Sequence, residues 1–148
     1  MMVFCIVIYR LRLTQNFTKL FFNVHLMHEL GIVFYIIKDV KQVAEENLSK
    51  HISKVVMNIG EVSTVVPYYL TDCWNWAVQK EEMLKGCELV INKIPAVTHC
   101  EDCKQEYETV KYGKKCPHCG SKNTFLLRGN EVEIKEIEVS STSPDASD

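Results

Sequence analysis

The chain has 148 residues, 47% of them hydrophobic, with 17 basic and 19 acidic side chains and a net charge of −2. That length suits one compact domain of about 100 to 120 residues with appendages, or one domain carrying a small metal-held insert. Arg10, Arg12 and Lys19 fall in the first 26 residues, which contain no acid, so the remainder is acidic, a balance that argues against a nucleic-acid-binding body.

Residues 1–26 differ from the rest. Val3 to Tyr9 is an apolar run far short of the roughly 20 residues needed to span a bilayer. No basic residue precedes it and no small-residue cleavage site follows, so a secretory peptide fits poorly. Phe17, Leu20, Phe21, Phe22 and Val24 have the makings of an interfacial helix. The simpler reading takes Met27 as the first residue and 1–26 as a doubtful extension.

From Leu30, the apolar positions Leu30, Val33, Ile37, Val40 and Ala44 follow helical spacing and predict an amphipathic helix ending near Asn47. Val55, Met57 and Ile59 then alternate as a strand. Ser63, Thr64 and Pro67 are helix-start signals, before a second helix with Leu70, Cys73, Trp74 and Ala77 on its apolar face. Cys73 and both tryptophans read as core. Lys85-Gly86 ends that helix, and Cys87, Leu89 and Ile91 predict a second strand ending near Pro95. After Arg128-Gly129-Asn130 a third strand begins, in which Ile137 and Val139 are out of phase with Val132 and Ile134, implying a bulge near Lys135-Glu136. Ser140 to Asp148 lacks large apolar residues and is expected to be a disordered tail.

Between the second and third strands stand two cysteine doublets, Cys100-Glu-Asp-Cys103 and Cys116-Pro-His-Cys119. Two residues between cysteines let each doublet curl around one ion, and two such knuckles supply the four thiolates that zinc prefers. A disulfide framework would suit a small secreted chain better than one with seven cysteines. A zinc ion with four cysteine ligands has no open coordination position, so it supports a fold without performing hydrolysis. His99 and His118 adjoin the knuckles and read as solvent-facing. The expected architecture is α+β: a small three-stranded sheet packed with two helices, formed by residues 27–97 and 129–139, with a zinc ribbon over 98–128 inserted and a tail over 140–148.

No nucleophile with a nearby base, phosphate-binding glycine loop or paired-carboxylate signature stands out, so an enzyme reading starts weak. Met27-His28-Glu29, placed just before the first predicted helix, groups an imidazole, a carboxylate and main-chain nitrogens. If the chain began at Met27 an α-amine would join them, giving nitrogen-rich coordination suited to Ni(II) or Cu(II). Alternatively, His28 is an ordinary exposed residue and Glu29 a helix-start acid.

Met-His-Glu-Leu followed by a helix, Ile-Gly-Glu-Val-Ser at 59–63 with Pro67, the cysteine doublets, and Gly-Asn-Glu-Val-Glu-Ile-Lys-Glu-Ile-Glu-Val at 129–139 together resemble the HypA/HybF hydrogenase nickel-incorporation proteins. The resemblance runs in order over residues 27–139. It implies a cytoplasmic nickel metallochaperone for [NiFe]-hydrogenase, and in some organisms urease, with Met27, His28 and Glu29 matching the nickel-binding terminus. Cys100, Cys103, Cys116 and Cys119 match the structural zinc ligands. Implied partners are a nickel-handling maturation GTPase, the hydrogenase large subunit precursor, urease maturation proteins, or a second copy in a homodimer, with no nucleic acid and no membrane. The chain departs from the family pattern in the 26 residues before the motif. The alternative is a zinc-ribbon interaction module for nucleic acid or a protein partner, and a zinc-stabilised enzyme is a third reading with no residues to name.

Overall fold

A 30-residue helix, α1 (Phe17–Glu46), opens the described part of the computed structural model, which covers residues 17–140 in the backbone and 27–139 in side chains. Residues 1–16 and 141–148, and with them most of the expected extension and tail, lie outside the described residues. The predicted apolar face is present: Val33, Ile37, Val40 and Ala44 are buried, with Leu30 packed against the same core. The start of α1 corrects the sequence expectation. Met27, His28 and Glu29 do not precede the first helix but lie within it, because no proline or glycine interrupts the run before them.

Strand β1 (His51–Gly60) follows, then α2 (Pro67–Ala77) and β2 (Glu88–Ile94), which runs parallel to β1, as a strand–helix–strand crossover allows. Pro67 opens α2, where its missing N–H costs nothing, and Leu70, Cys73, Trp74 and Ala77 are its buried residues. The helix stops at Ala77, earlier than Lys85-Gly86, and two 3₁₀ turns, Val78–Lys80 and Glu82–Leu84, lead towards β2. Trp74 is fully buried, its indole N–H donating to the Cys87 carbonyl at 3.0 Å. Trp76 is corrected to the surface, where the Lys80 ammonium lies 3.6 Å from its ring centroid.

Strand β6 (Val132–Ser140) returns antiparallel to β1 and completes a sheet ordered β2-β1-β6. Met57 pairs with Ile134 and Val56 with Glu136, leaving Lys135 as the extra residue that the phase slip implied. A second shift, between Ile52 and Lys54, had no such signal. Ser140, expected in the tail, closes β6. Ile52, Val55, Met57 and Ile59 pack with α1 and α2, and Leu89, Ile91, Ile134 and Ile137 adjoin that core. Across the pleat, Lys54 pairs with Glu138 and Asn58 hydrogen-bonds Glu133. No helix among the described residues is long and apolar enough to cross a membrane.

Between β2 and β6 the chain makes a second sheet, ordered β4-β3-β5, from β3 (Val97–Cys100), β4 (Glu106–Glu108) and β5 (Thr124–Arg128), with a short helix, α3 (Thr109–Tyr112), after β4. Its two ends meet the first sheet at one point. The Glu61 carboxylate accepts the Ala96 N–H at 3.1 Å and pairs with Lys93, while the Val62 N–H donates to the Gly129 carbonyl at 2.8 Å. The junction is tight enough that a side chain at Gly60 would overlap the Gly129 backbone, and one at Gly129 would overlap Ala96. The fold is therefore α+β, with the cysteine-bearing sheet inserted between two strands of the larger one.

Candidate metal centre

The two knuckles are built alike. In the first, the Lys104 N–H donates to the Cys100 carbonyl and the Cys100 N–H donates to the Gln105 carbonyl, both at 2.9 Å. In the second, the Gly120 N–H donates to Cys116 and the Cys116 N–H to Ser121, again at 2.9 Å. Each turn needs positive φ just after its second cysteine, 59° at Lys104 and 75° at Gly120. Glycine meets that need freely and lysine at a cost, so only the second knuckle announces its geometry in the sequence.

These turns bring Cys100, Cys103, Cys116 and Cys119 together with all four sulfurs within 4.8 Å of one another. Cys100 and Cys119 are 3.6 Å apart, as are Cys103 and Cys116. A disulfide bond is about 2.05 Å. A tetrahedral shell with zinc–sulfur bonds of about 2.3 Å has sulfur–sulfur edges of about 3.8 Å. The residues present therefore fit a four-thiolate ion. Burial pushes the Cys116 thiol up, but the Cys119 and His118 amides and the neighbouring thiols outweigh it and hold its pKa at about 7. At Cys103 the Gln105 amide pulls downwards, while burial and the other thiols dominate and raise it to about 12. Binding of a cation here would release the protons the thiols carry.

Asp102 joins the knuckles. Its carboxylate accepts from the Ser121 hydroxyl and, at 3.0 Å, from the Asn123 amide, and these two bonds hold its pKa below the usual carboxylate range. Sequence reading missed this contact, since an aspartate inside a knuckle carries no pattern of its own. His99 packs its ring against Phe125 and His118 is exposed; neither belongs to the four-sulfur cluster. Outside the cluster, the Cys87 thiol is pushed up to about 12, first by burial and then by Glu88, in keeping with a core cysteine.

The second set of candidate residues is not close-knit in the same way. Met27 is 72% exposed, and the His28 side chain is 51% exposed. Glu29 is fully buried, which the sequence did not suggest. One of its oxygens, Oε1, accepts the Val66 N–H at 3.0 Å, and the other lies 3.9 Å from His28 Nδ1. Val66 is the residue before α2 and has no side-chain cap of its own, so Glu29 supplies an acceptor where the helix has unpaired N–H groups. The structure thus brings an exposed imidazole beside an anchored carboxylate.

A family model described as hydrogenase/urease nickel incorporation, metallochaperone, HypA matches residues 27–139. The hydrogenase maturation factor HypA of Geotalea uraniireducens is 32% identical over 114 residues, covering 76% of this chain and 99% of its own length. The hydrogenase maturation factor HybF of Klebsiella pneumoniae is 30% identical over 112 residues, covering 76% of this chain and 98% of its own. A solution structure of the Ni metallochaperone HypA from Helicobacter pylori has the same fold, with a TM-score of 0.59 and 23% identity over 77% of this chain and 98% of that one. A second solution structure of a HypA protein gives a TM-score of 0.62 and 26% identity over 78% of this chain and 98% of that one. With a family match over all but the two ends, and relatives matched over nearly their whole length, the chain belongs to the HypA/HybF family of hydrogenase nickel-incorporation proteins.

Proposed function

We propose that this protein is a nickel metallochaperone that takes up Ni(II) at Met27-His28-Glu29 and delivers it during [NiFe]-hydrogenase maturation. The observation that carries this reading is the half-exposed His28 imidazole beside the buried Glu29 carboxylate, at the point where the family match begins. Imidazole suits Ni(II), and an exposed ligand set can release its ion by exchange. In the described helix the main-chain N–H groups of residues 28 and 29 belong to the hydrogen-bonded ladder. The imidazole is then the ligand that needs no unwinding, and a chain beginning at Met27 would add an α-amine.

Cys100, Cys103, Cys116 and Cys119 hold a structural zinc ion. Their mutual spacing supports that assignment, and a closed four-thiolate shell leaves no position for substrate. The protein carries out no reaction of its own. Reduced thiols and a loaded zinc site suit the cytoplasm. Its partners are a nickel-handling GTPase and the hydrogenase large subunit precursor, with urease maturation proteins as further recipients, and it assembles with that GTPase or as a homodimer. The nucleic-acid module is disfavoured by the acidic charge balance.

Calorimetric nickel titration of the zinc-loaded protein and of His28→Ala tests this reading. Loss of nickel binding at least tenfold, with an unchanged circular dichroism spectrum, is expected. Equal affinity in the two proteins would remove the proposed site.

A further inference from the structure

Strand β2 stands at the edge of the larger sheet, with β1 on one side and no described strand on the other. Leu89, Val90, Ile91 and Ile94 are large and aliphatic, yet no residue of the strand is fully buried. The direction of its free groups follows from the register. Successive residues of a strand turn their main-chain groups to opposite sides, and Ile94, paired with Gly60, gives its carbonyl to the Glu61 N–H at 2.8 Å. Glu88, Val90, Asn92 and Ile94 therefore bond β1, while Leu89, Ile91 and Lys93 direct both N–H and C=O outwards. Natural sheet edges are guarded by bulges, charges or proline. The other edge, β6, has its bulge at Lys135 and carries Glu133, Glu136 and Glu138. In contrast, β2 keeps an unbroken register with β1, and its Lys93 ammonium is drawn to Glu61 at 2.9 Å.

We propose that β2 is a dimerisation edge: a second copy of this chain lays its own β2 antiparallel against it, about a two-fold axis at Ile91, and joins the two sheets into one. This rests on the homodimer reading above, to which it adds the interface, and is independent of the nickel site. The occupant follows from the strand itself. A two-fold axis perpendicular to the sheet keeps the helices of both copies on one face. Centred at Ile91, it bonds Ile91 to Ile91 and Leu89 of each copy to Lys93 of the other, so that every outward N–H and C=O of these residues finds a partner. Centred at Val90 instead, it would set Lys93 opposite Cys87, whose N–H is already given to the Leu84 carbonyl. On the helix-covered face the two Ile91 side chains meet beside Leu89, where both residues already adjoin the core. Antiparallel pairing also sets the Glu88 end of each strand against the Lys93 end of the other and holds the two Glu88 residues about 20 Å apart along the strands. The same operation on β6 brings its glutamates together.

Sedimentation equilibrium of the zinc-loaded full chain, between about 5 and about 500 µM, is expected to show monomer and dimer in exchange, since an edge pairing lies at the small end of specific interfaces and holds in the micromolar range. Amide hydrogen exchange, read residue by residue, then locates the interface. The Leu89, Ile91 and Lys93 amides are expected to slow by about tenfold or more from the lowest concentration to the highest, while those of Val90 and Asn92, bonded to β1, are slow throughout. Ile91→Pro removes an outward N–H without touching a bond to β1, a change that an edge strand tolerates. It is expected to weaken dimerisation at least tenfold with an unchanged circular dichroism spectrum. A monomer at every concentration overturns both the interface and the homodimer reading and leaves the nickel titration untouched. A dimer whose Leu89, Ile91 and Lys93 amides exchange fast at every concentration overturns the interface alone, whether or not Ile91→Pro folds. So does a folded Ile91→Pro that dimerises like the wild type.

Discussion

Gly129→Ala is expected to destabilise the protein by about 4 kcal/mol, a large part of the 5–15 kcal/mol that typically holds a domain. Gly129 has φ of 111°, and an added Cβ would come within 2.5 Å of the Ala96 Cβ, with the Ala96 backbone also in its way. A side chain in that backbone region costs about 1–3 kcal/mol. Overpacking against a neighbour that cannot yield costs about 1–3 kcal/mol more. Ala96 cannot move away freely, since its N–H is held by Glu61 and its carbonyl accepts the Thr109 N–H at 3.0 Å. Urea unfolding followed by tryptophan fluorescence is the assay, and a slope of about 2 kcal/mol/M would move the midpoint down by about 2 M. Cobalt substituted into the cysteine site gives an independent probe of the ribbon, whose thiolate-to-metal absorption should be unchanged without urea. A midpoint shift below about 0.5 M at constant slope would refute the claim that this junction is rigid.

Trp74→Phe removes the donor to the buried Cys87 carbonyl, and an unfolding free energy lower by about 2 kcal/mol is expected from denaturant titration. Cys103→Ala leaves three thiolates, so zinc affinity measured by chelator competition should collapse and the ribbon's amides should lose protection from hydrogen exchange, while those of β1 and α2 keep theirs. Glu61 has its pKa lowered from 4.5, chiefly by the Lys93 ammonium and then by the Ala96 N–H. A lowered carboxylate contributes stability that is present above its unfolded pKa and lost as pH falls through the folded one. Acid titration should therefore destabilise the wild type below about pH 4.5 more steeply than Glu61→Gln; parallel curves would deny Glu61 any such part.

Much of this arrangement was legible because local pattern and tertiary environment agreed. The spacing of Leu70, Cys73, Trp74 and Ala77 marked the buried face of α2, and Pro67 marked its start. The phase slip between Ile134 and Ile137 revealed the β6 bulge, since a sheet buried on one face cannot absorb an extra residue without turning its side chains over. The four cysteines announced their own cluster. What stayed hidden depended on distant contacts. Glu29 read as a nickel-ligand candidate or as a helix-start acid, and its contact with the Val66 backbone N–H, 37 residues away, left no local signal. The positive φ at Lys104 is imposed by knuckle closure against the residue's own preference. Trp76 shares its helix with Trp74 but faces outwards, and side-chain size alone does not reveal which of the two is core.

The junction at Gly60, Ala96 and Gly129 makes the inserted sheet behave, towards the rest of the protein, as a loop whose ends are pinned together. If the four cysteines held no ion and the ribbon unfolded, the roughly 30 residues between those pins would become slack chain, and holding the ends of such a loop in place costs only about 3 kcal/mol. That sum is less than most domains have to spare. The ordering of the ribbon can thus be gained or lost with metal supply while α1, and with it His28, remains in a folded body.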